Sequence, residues 1–322
     1  MKILIIANAH RNGGSSGSDE IYQAFMRHWP ASFRLWQMRD IDFKPFWLCY
    51  VWRTMIGCLI AVIEPQRYDL VYSASDFMMD SLPAFIMKLR GHKWVAGFYM
   101  NAPRYKRIYF FTQKFIYRII KRFADMVIVT NPTMFPQFEG KKKSWINGGI
   151  DLSLAGINDS PKEYHLVFCG RIHPTKGIDT LIDMWNSWPT SDYKLAIIGD
   201  GDLGIQYMKD RFNNLSNITF FGYLGKERFE VFKSSNFVLY PVPKEYDHFS
   251  MAPVEAMACG CPLVIAELTP VLKYFKEKMG MPIGSDFESY DKSRKAAYEW
   301  AQQFSWPLQT NRVWEDIQKC LF

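Results

Sequence analysis

Two carboxylates, Asp247 and Glu255, stand eight positions apart in the segment DHFSMAPVEAMACGCPLV, residues 247 to 264. Asp247 precedes a turn of small residues. Glu255 opens a run of helix formers, Glu255-Ala256-Met257-Ala258, which stops at Cys259-Gly260-Cys261-Pro262, and an apolar strand, Leu263-Val264-Ile265-Ala266, follows. Carboxylates accept hydrogen bonds from hydroxyls. The start of a helix offers backbone N–H groups and positive potential to an anion. The pattern suits a ligand carrying both hydroxyls and negative charge, as a nucleotide sugar does. Glu245 lies two residues before Asp247 and substitutes for it if the loop shifts. The plainer reading is an ordinary loop–helix–strand unit of an α/β domain.

Cations occur upstream in a matching context. LVFCGRIHPTKGIDTLIDMW, residues 166 to 185, reads as a buried strand ending in Gly170-Arg171, then Lys176-Gly177, then a helix with Ile178, Leu181, Ile182 and Trp185 inward. Arg offers a planar donor fork and Lys a mobile point charge at the carboxyl end of a strand. Two solvated cations in a loop are the alternative. LAIIGDGDL, ITFFGY and FVLYP add strands at 195, 218 and 237. Strands alternating with helices over short loops predict a doubly wound parallel sheet.

The segment from 166 to 266 resembles the retaining, nucleotide-sugar-dependent glycosyltransferases of GT-B fold, the glycosyl transferases group 1. That family carries Glu, seven residues, Glu, with Phe-Gly after the first Glu and a tail like EAMACGxPV. Here the first Glu is Asp247 and the Gly is Ser250. The resemblance implies two Rossmann-like domains facing a cleft: an acceptor domain over 1–157, a nucleotide-sugar domain over 158–305, and a last helix over 306–322 crossing back to the first domain. It implies catalytic roles for Asp247, Arg171 and Lys176. It places the donor against Gly13, Gly14, Gly170, Arg171, Lys176, Tyr223, Leu224, Asp247, His248, Phe249, Ser250, Met251, Ala252 and Glu255. The Arg171–Lys176 pair would hold the diphosphate, Glu255 the ribose, and the backbone of 249 to 252 the phosphate or sugar. Asp200-Gly201-Asp202 has the letters of a metal-binding motif, but the resemblance makes it a structural turn. No metal is expected, and no cofactor beyond a UDP- or GDP-sugar.

The chain of 322 residues suggests two domains of about 150 residues. Its 48% hydrophobic content is enough for two cores and excludes a disordered chain. The six cysteines lack CxxC spacing, which favours buried free thiols of a reducing compartment over disulfides or zinc. MKILIIANA lacks a cleavage context and reads as a first strand. The Gly13-Gly14 loop after it precedes a helix from about Ser18. It is neither G-x-G-x-x-G nor a P-loop, which argues against NAD or ATP.

Residues 1 to 157 hold 21 Lys and Arg against 11 Asp and Glu, whereas 158 to 322 hold 18 against 21. The first half thus attracts anions. The resemblance favours an anionic membrane surface or a lipid-linked acceptor over nucleic acid. Residues 45 to 63 are long and apolar enough to raise a membrane span, but Arg53 in their middle predicts a buried core helix instead. In YMNAPRY, residues 99 to 105, the resemblance implies acceptor contacts from Tyr99, Asn101 and Arg104. Asn101 falls where some members carry His, so no imidazole titrates there; His10 and His248 are the other histidines near the implied cleft. Over 104 to 123, Arg107, Lys114, Arg118 and Lys121 form one helical face, and Ile108, Phe111, Phe115, Ile119 and Ile120 another. That pattern fits a membrane interface or a core helix with a solvated side.

The expectation is a retaining, metal-independent glycosyltransferase, acting on a glycan, a lipid-linked glycan or another cell-surface polysaccharide precursor. It would work in the cytoplasm or as a peripheral protein on the inner membrane face. The rivals are a non-catalytic or regulatory partner on this fold and a sugar-nucleotide epimerase.

Overall fold

The computed structural model describes residues 1–9, 17–38, 46–102, 107–159, 161–188, 192–242, 250–283 and 290–322. Residues Met1–Gly149 with Trp306–Phe322 form one compact unit, and Ile150–Ser305 form the other.

Unit 1 alternates β1 (Lys2–Ile6), α1 (Gly17–His28), β2 (Ser32–Trp36), α2 (Phe46–Ile63), β3 (Leu70–Ser73), α3 (Met78–Leu89), β4 (Lys93–Phe98), α4 (Arg107–Phe123), β5 (Met126–Val129) and β6 (Lys142–Trp145). The sheet is parallel throughout, in the order β2-β1-β3-β4-β5-β6. Its inner strands are apolar on both sides because helices cover both faces. Ala61, Ala84, Met87, Ile116 and Ile120 bring α2, α3 and α4 onto one face, against Leu4, Ile6, Val71 and Trp94. Ile21, Tyr22 and Phe25 of α1 cover Ile3, Ile5 and Tyr72 on the other. The strand order reverses between β1 and β3.

Unit 2 runs β7 (Tyr164–Cys169), α5 (Ile178–Ser187), β8 (Leu195–Ile198), α6 (Gly204–Lys209), β9 (Ile218–Gly222), α7 (Arg228–Lys233), β10 (Ser235–Tyr240), α8 (Met251–Ala258), β11 (Leu263–Ile265), α9 (Pro270–Met279) and α10 (Tyr290–Ala301). Its parallel sheet has the order β11-β10-β7-β8-β9 and reverses between β7 and β10. Ile178, Leu181, Ile182 and Trp185 are buried against Leu166, Phe168 and Ile197, as the periodicity predicts. The last helix, α11 (Trp306–Leu321), belongs to unit 1. Its Val313 and Ile317 enter the core beside α1, and Trp29 donates to the Thr310 carbonyl at 2.9 Å.

Several expectations need correction. Residues 46 to 63 are helical, but α2 buries one side only. Cys49, Arg53, Thr54, Gly57 and Ala61 turn inward, whereas Trp47, Val51, Trp52, Met55, Leu59 and Val62 are exposed. On α4 the inward stripe is Gln113, Ile116 and Ile120. Phe111 lies about 140° around the helix from Ile116, so Ile108, Phe111 and Phe115 share the solvent face with Lys114, Arg118 and Lys121. β6 ends at Trp145 and begins in the lysine run, Lys142 and Lys143, which an edge position tolerates. β2, half exposed at the opposite edge, had no counterpart in the sequence reading. Glu255 does not open its helix: α8 begins at Met251 and places Glu255 in the second turn.

Candidate functional site

In open parallel sheets, ligands bind beyond the carboxyl ends of the strands where the order reverses. In unit 2 that point lies past Cys169 and Tyr240. After β7 the chain passes through Gly170 and Arg171 into a short 3₁₀ turn, Pro174–Lys176. His173 accepts at Nδ1 from the Thr175 N–H at 3.2 Å, and the Lys176 N–H bonds the His173 carbonyl at 2.9 Å. Gly177 then adopts φ 73°, and a Cβ there would stand 2.0 Å from the Pro241 carbonyl oxygen. Glycine is therefore what lets Lys176 sit against the end of β10. Burial lowers the Lys176 ammonium from its ordinary 10.5 to about 8, and Arg171 nearby lowers it further within that shift. Arg171 and the desolvated Lys176 repel each other, and an anion bound beside them would relieve that repulsion.

Glu255 is buried and bound in a bidentate ion pair: Arg228 donates from Nε to Oε2 and from Nη2 to Oε1, both at 2.7 Å. Arg228 also donates from Nη1 to the Gly225 carbonyl at 2.5 Å. One guanidinium thus fixes both the carboxylate and the loop that carries Tyr223 and Leu224. Each carboxylate oxygen keeps a second lone pair for another donor. Glu255 lies near Cys169, whose thiol is pushed up to about 12, chiefly by burial and then by that carboxylate. Tyr223 is 81% exposed and presents its ring to solvent.

The Asp200-Gly201-Asp202 segment is locked to the Arg171 loop by its backbone. Ile172 donates to the Asp200 carbonyl at 3.0 Å, and Leu203 to the Ile172 carbonyl at 3.2 Å. The Asp200 side chain accepts from the Gly201 N–H at 2.7 Å, and Asp202 faces His173 at 3.7 Å. Gly199 donates to the Gly222 carbonyl at 2.7 Å, which ties this turn to the end of β9. Among the described residues no group of three or more His, Cys, Asp or Glu is arranged to hold a metal ion.

Ser250 stands at the N-cap of α8 in extended backbone, followed by Met251 and Ala252 in the first turn. Gly13, Gly14, Arg104, Asp247, His248 and Phe249, with His10 and Glu245, lie outside the described residues. The structure therefore brings Gly170, Arg171, Lys176, Tyr223, Leu224 and Glu255 to neighbouring strand ends. It adds Arg228 and His173, which the sequence reading did not single out.

Unit 1 has its own polar cluster at the β1/β3 reversal. Asp80 Oδ1 accepts from the Asn8 and Ala9 N–H groups at 2.6 and 3.1 Å, and Oδ2 bonds Ser75. Asp76 accepts from Gln113 Nε2 at 2.6 Å and from the Tyr109 hydroxyl at 3.2 Å. Burial raises Asp76 to about 6 and Asp80 to about 7. Gln113 in turn holds the loop after β4, accepting from the Ala102 N–H and donating to the Met100 carbonyl, each at 2.6 Å. Thr130 donates to the Tyr99 carbonyl at 2.9 Å, and the Tyr99 hydroxyl is bonded to that of Tyr72. Asn101 stands exposed on this braced loop. Two carboxylates four residues apart after a buried strand are the signal that was available for Asp76 and Asp80.

Comparison with known proteins bears on the family and the fold. Residues 163–280 match the glycosyl transferases group 1 family. The matched segment lies within unit 2. An uncharacterized glycosyltransferase of Methanocaldococcus jannaschii is 29% identical over 129 residues, which are 38% of this chain and 32% of that relative. The match therefore spans about a third of the relative's length. Among solved structures, Anabaena HepE in complex with UDP-glucose superposes with TM-score 0.71 at 16% identity, covering 99% of this chain and 100% of HepE. Sucrose-phosphate synthase from Thermosynechococcus elongatus gives 0.74 at 15% identity, covering 99% and 98%. At such identities the likeness establishes the fold, which is GT-B.

Proposed function

We propose that this chain is a retaining glycosyltransferase that moves a sugar from a UDP- or GDP-sugar to an acceptor hydroxyl. The observation that carries the reading is the grouping of Arg171, the desolvated Lys176 and the Arg228-held Glu255 at the reversal point of unit 2. In this reading Glu255 accepts the ribose hydroxyls, and Arg171 with Lys176 holds the diphosphate. As the bond from the anomeric carbon to the diphosphate oxygen breaks, negative charge collects on the leaving phosphate, where fixed cations stabilise it most. The acceptor oxygen adds from the same face and its proton passes to the departing phosphate. Asp247 holds sugar hydroxyls and supports the cationic sugar carbon, while His248, Phe249, Ser250, Met251 and Ala252 line the sugar and phosphate. Gly13 and Gly14 are assigned to the donor, and Tyr99, Asn101 and Arg104 to the acceptor. The acceptor is a glycan or lipid-linked precursor, in keeping with the cationic first half. The reading gives no part to a metal and leaves Asp200, which accepts from the Gly201 N–H, and Asp202, which faces His173, to the turn beside Arg171.

The HepE complex with UDP-glucose puts UDP first in the test. A thermal-shift panel of UDP, GDP and their sugars should raise the melting temperature for one base, since ligand at about 100 times Kd adds about 2.7 kcal/mol. Arg171→Ala should remove that shift and cut turnover by about 10²–10³-fold. A panel without any shift, or full turnover in the variant, would refute the assignment. Release of a sugar with inverted C2 from donor and water alone would replace it with epimerisation.

A further inference from the structure

The sequence reading placed α2 in the core, yet eight of its side chains form one bare apolar stripe. Trp47, Leu48, Val51, Trp52, Met55, Leu59, Val62 and Ile63 are all exposed, with Met55 at 57%, Leu59 at 58% and Ile63 at 74%. At 100° per residue they fall within about 160° of the helix circumference. The stripe therefore runs the length of the helix. Contiguous apolar exposure of this extent marks an interaction surface.

α4 adds a second exposed stripe of different character. Ile108, Phe111 and Phe115 alternate there with Lys114, Arg118, Lys121 and Arg122. Both helices pack against α3 and the same side of the unit 1 sheet, so their outer sides face the same way. Neither helix contains a single Asp or Glu. Glu64, Asp76 and Asp80 beside them are buried, and Asp125 after α4 is paired with Lys88 at 2.6 Å.

We infer that this side of unit 1 docks on an anionic phospholipid bilayer: α2 lies in the plane of the interface with its apolar stripe among the acyl chains, and the α4 cations meet the headgroups. The charge pattern selects this occupant. A second copy of the chain would bring cations against the same cations across a two-fold axis, with no exposed acid on either helix to pair them. Tryptophans at the helix border and Lys or Arg beside an apolar stripe are the composition of interfacial helices. No helix among the described residues is long and apolar enough to cross a membrane, so the contact is with one leaflet.

The test is flotation of the whole chain with vesicles, without donor, so its outcome is separate from that of the UDP panel. Binding to phosphatidylcholine–phosphatidylglycerol vesicles is expected at low salt and should weaken as salt shortens the Debye length from about 30 Å at 0.01 M to about 3 Å at 1 M. Each cation near an anionic surface is worth about a fivefold change in affinity. Replacing Lys114, Arg118 and Lys121 by Gln should therefore weaken binding about 100-fold. The variant Trp52→Ser, Met55→Ser, Leu59→Ser keeps every charge and should lose about tenfold or more. All six positions are exposed, so both variants should keep the wild-type melting temperature, which is measured alongside. Three results would overturn the inference: no flotation of the wild type at low salt, full binding by the serine variant, or a wild-type dimer that the serine substitutions dissociate.

Discussion

Lys176 is the place where the proposed function and stability pull in opposite directions. Its folded value of about 8 against an ordinary 10.5 means that the fold disfavours its charge. Below pH 8 both the folded and unfolded chains carry the proton, and the charged lysine costs the folded state about 3 kcal/mol, at about 1.36 kcal/mol per unit. Between pH 8 and 10.5 the unfolded chain binds the extra proton, so this group's contribution to stability rises with pH. Replacing Lys176 by Met removes that dependence. The charge alone should make the variant more stable than the wild type by about 3 kcal/mol at pH 7 and by only about 1.4 kcal/mol at pH 9.5. Changed packing adds a constant to both values, so the difference of about 2 kcal/mol isolates the charge. Urea unfolding of both proteins at the two pH values measures it. The same variant should lose UDP or GDP affinity. In the wild type, nucleotide binding at pH 8.5 should take up a proton, visible by calorimetry in buffers of different ionisation enthalpy. A stability gain that does not change with pH, or binding without proton uptake, would refute the picture of a desolvated lysine held for an anion.

The ribose role is tested by Glu255→Gln, which should weaken nucleotide binding by about 10- to 100-fold. A dideoxyribose nucleotide should bind wild type and variant alike, and a persisting difference would reassign Glu255 to holding Arg228. Gly177→Ala must take a left-handed conformation and meet Pro241, so it should cost at least about 1–2 kcal/mol and impair nucleotide binding; a variant with normal melting and binding would contradict the contact described. Chelation by EDTA should leave turnover intact, and loss restored by manganese or magnesium would make Asp200 and Asp202 metal ligands.

The alternation of strands and helices was legible because parallel strands covered on both sides are written as unbroken apolar runs, and helices such as α5 as a 3.6-residue rhythm. The cations of the Arg171–Lys176 loop were legible because they follow such a run directly. Arg228 was not. Its partner Glu255 is 27 residues away, and only the neighbouring placement of α7 and α8 makes a surface-looking Arg into a brace. Asp76 and Asp80 follow a buried strand four residues apart, but their donors Asn8, Ser75 and Gln113 come from three separate segments that only the fold brings together. The α2 error came from reading hydropathy as burial. Hydropathy says that a side chain avoids water, whereas the packing of α3 decides which side of α2 is covered by protein.

The placement of α11 has a consequence for synthesis. Unit 2 is drawn from one uninterrupted stretch, Ile150–Ser305, but unit 1 is closed by the last residues of the chain. Val313 and Ile317 fill the core beside α1, and Lys93 bonds the Leu321 carbonyl and lies over the Phe322 ring. On the ribosome, the sheet of unit 1 must wait with an uncovered apolar face while all of unit 2 is made and folded. A stop codon shortly before α11 would therefore spare the nascent second unit and expose the first to aggregation or proteolysis.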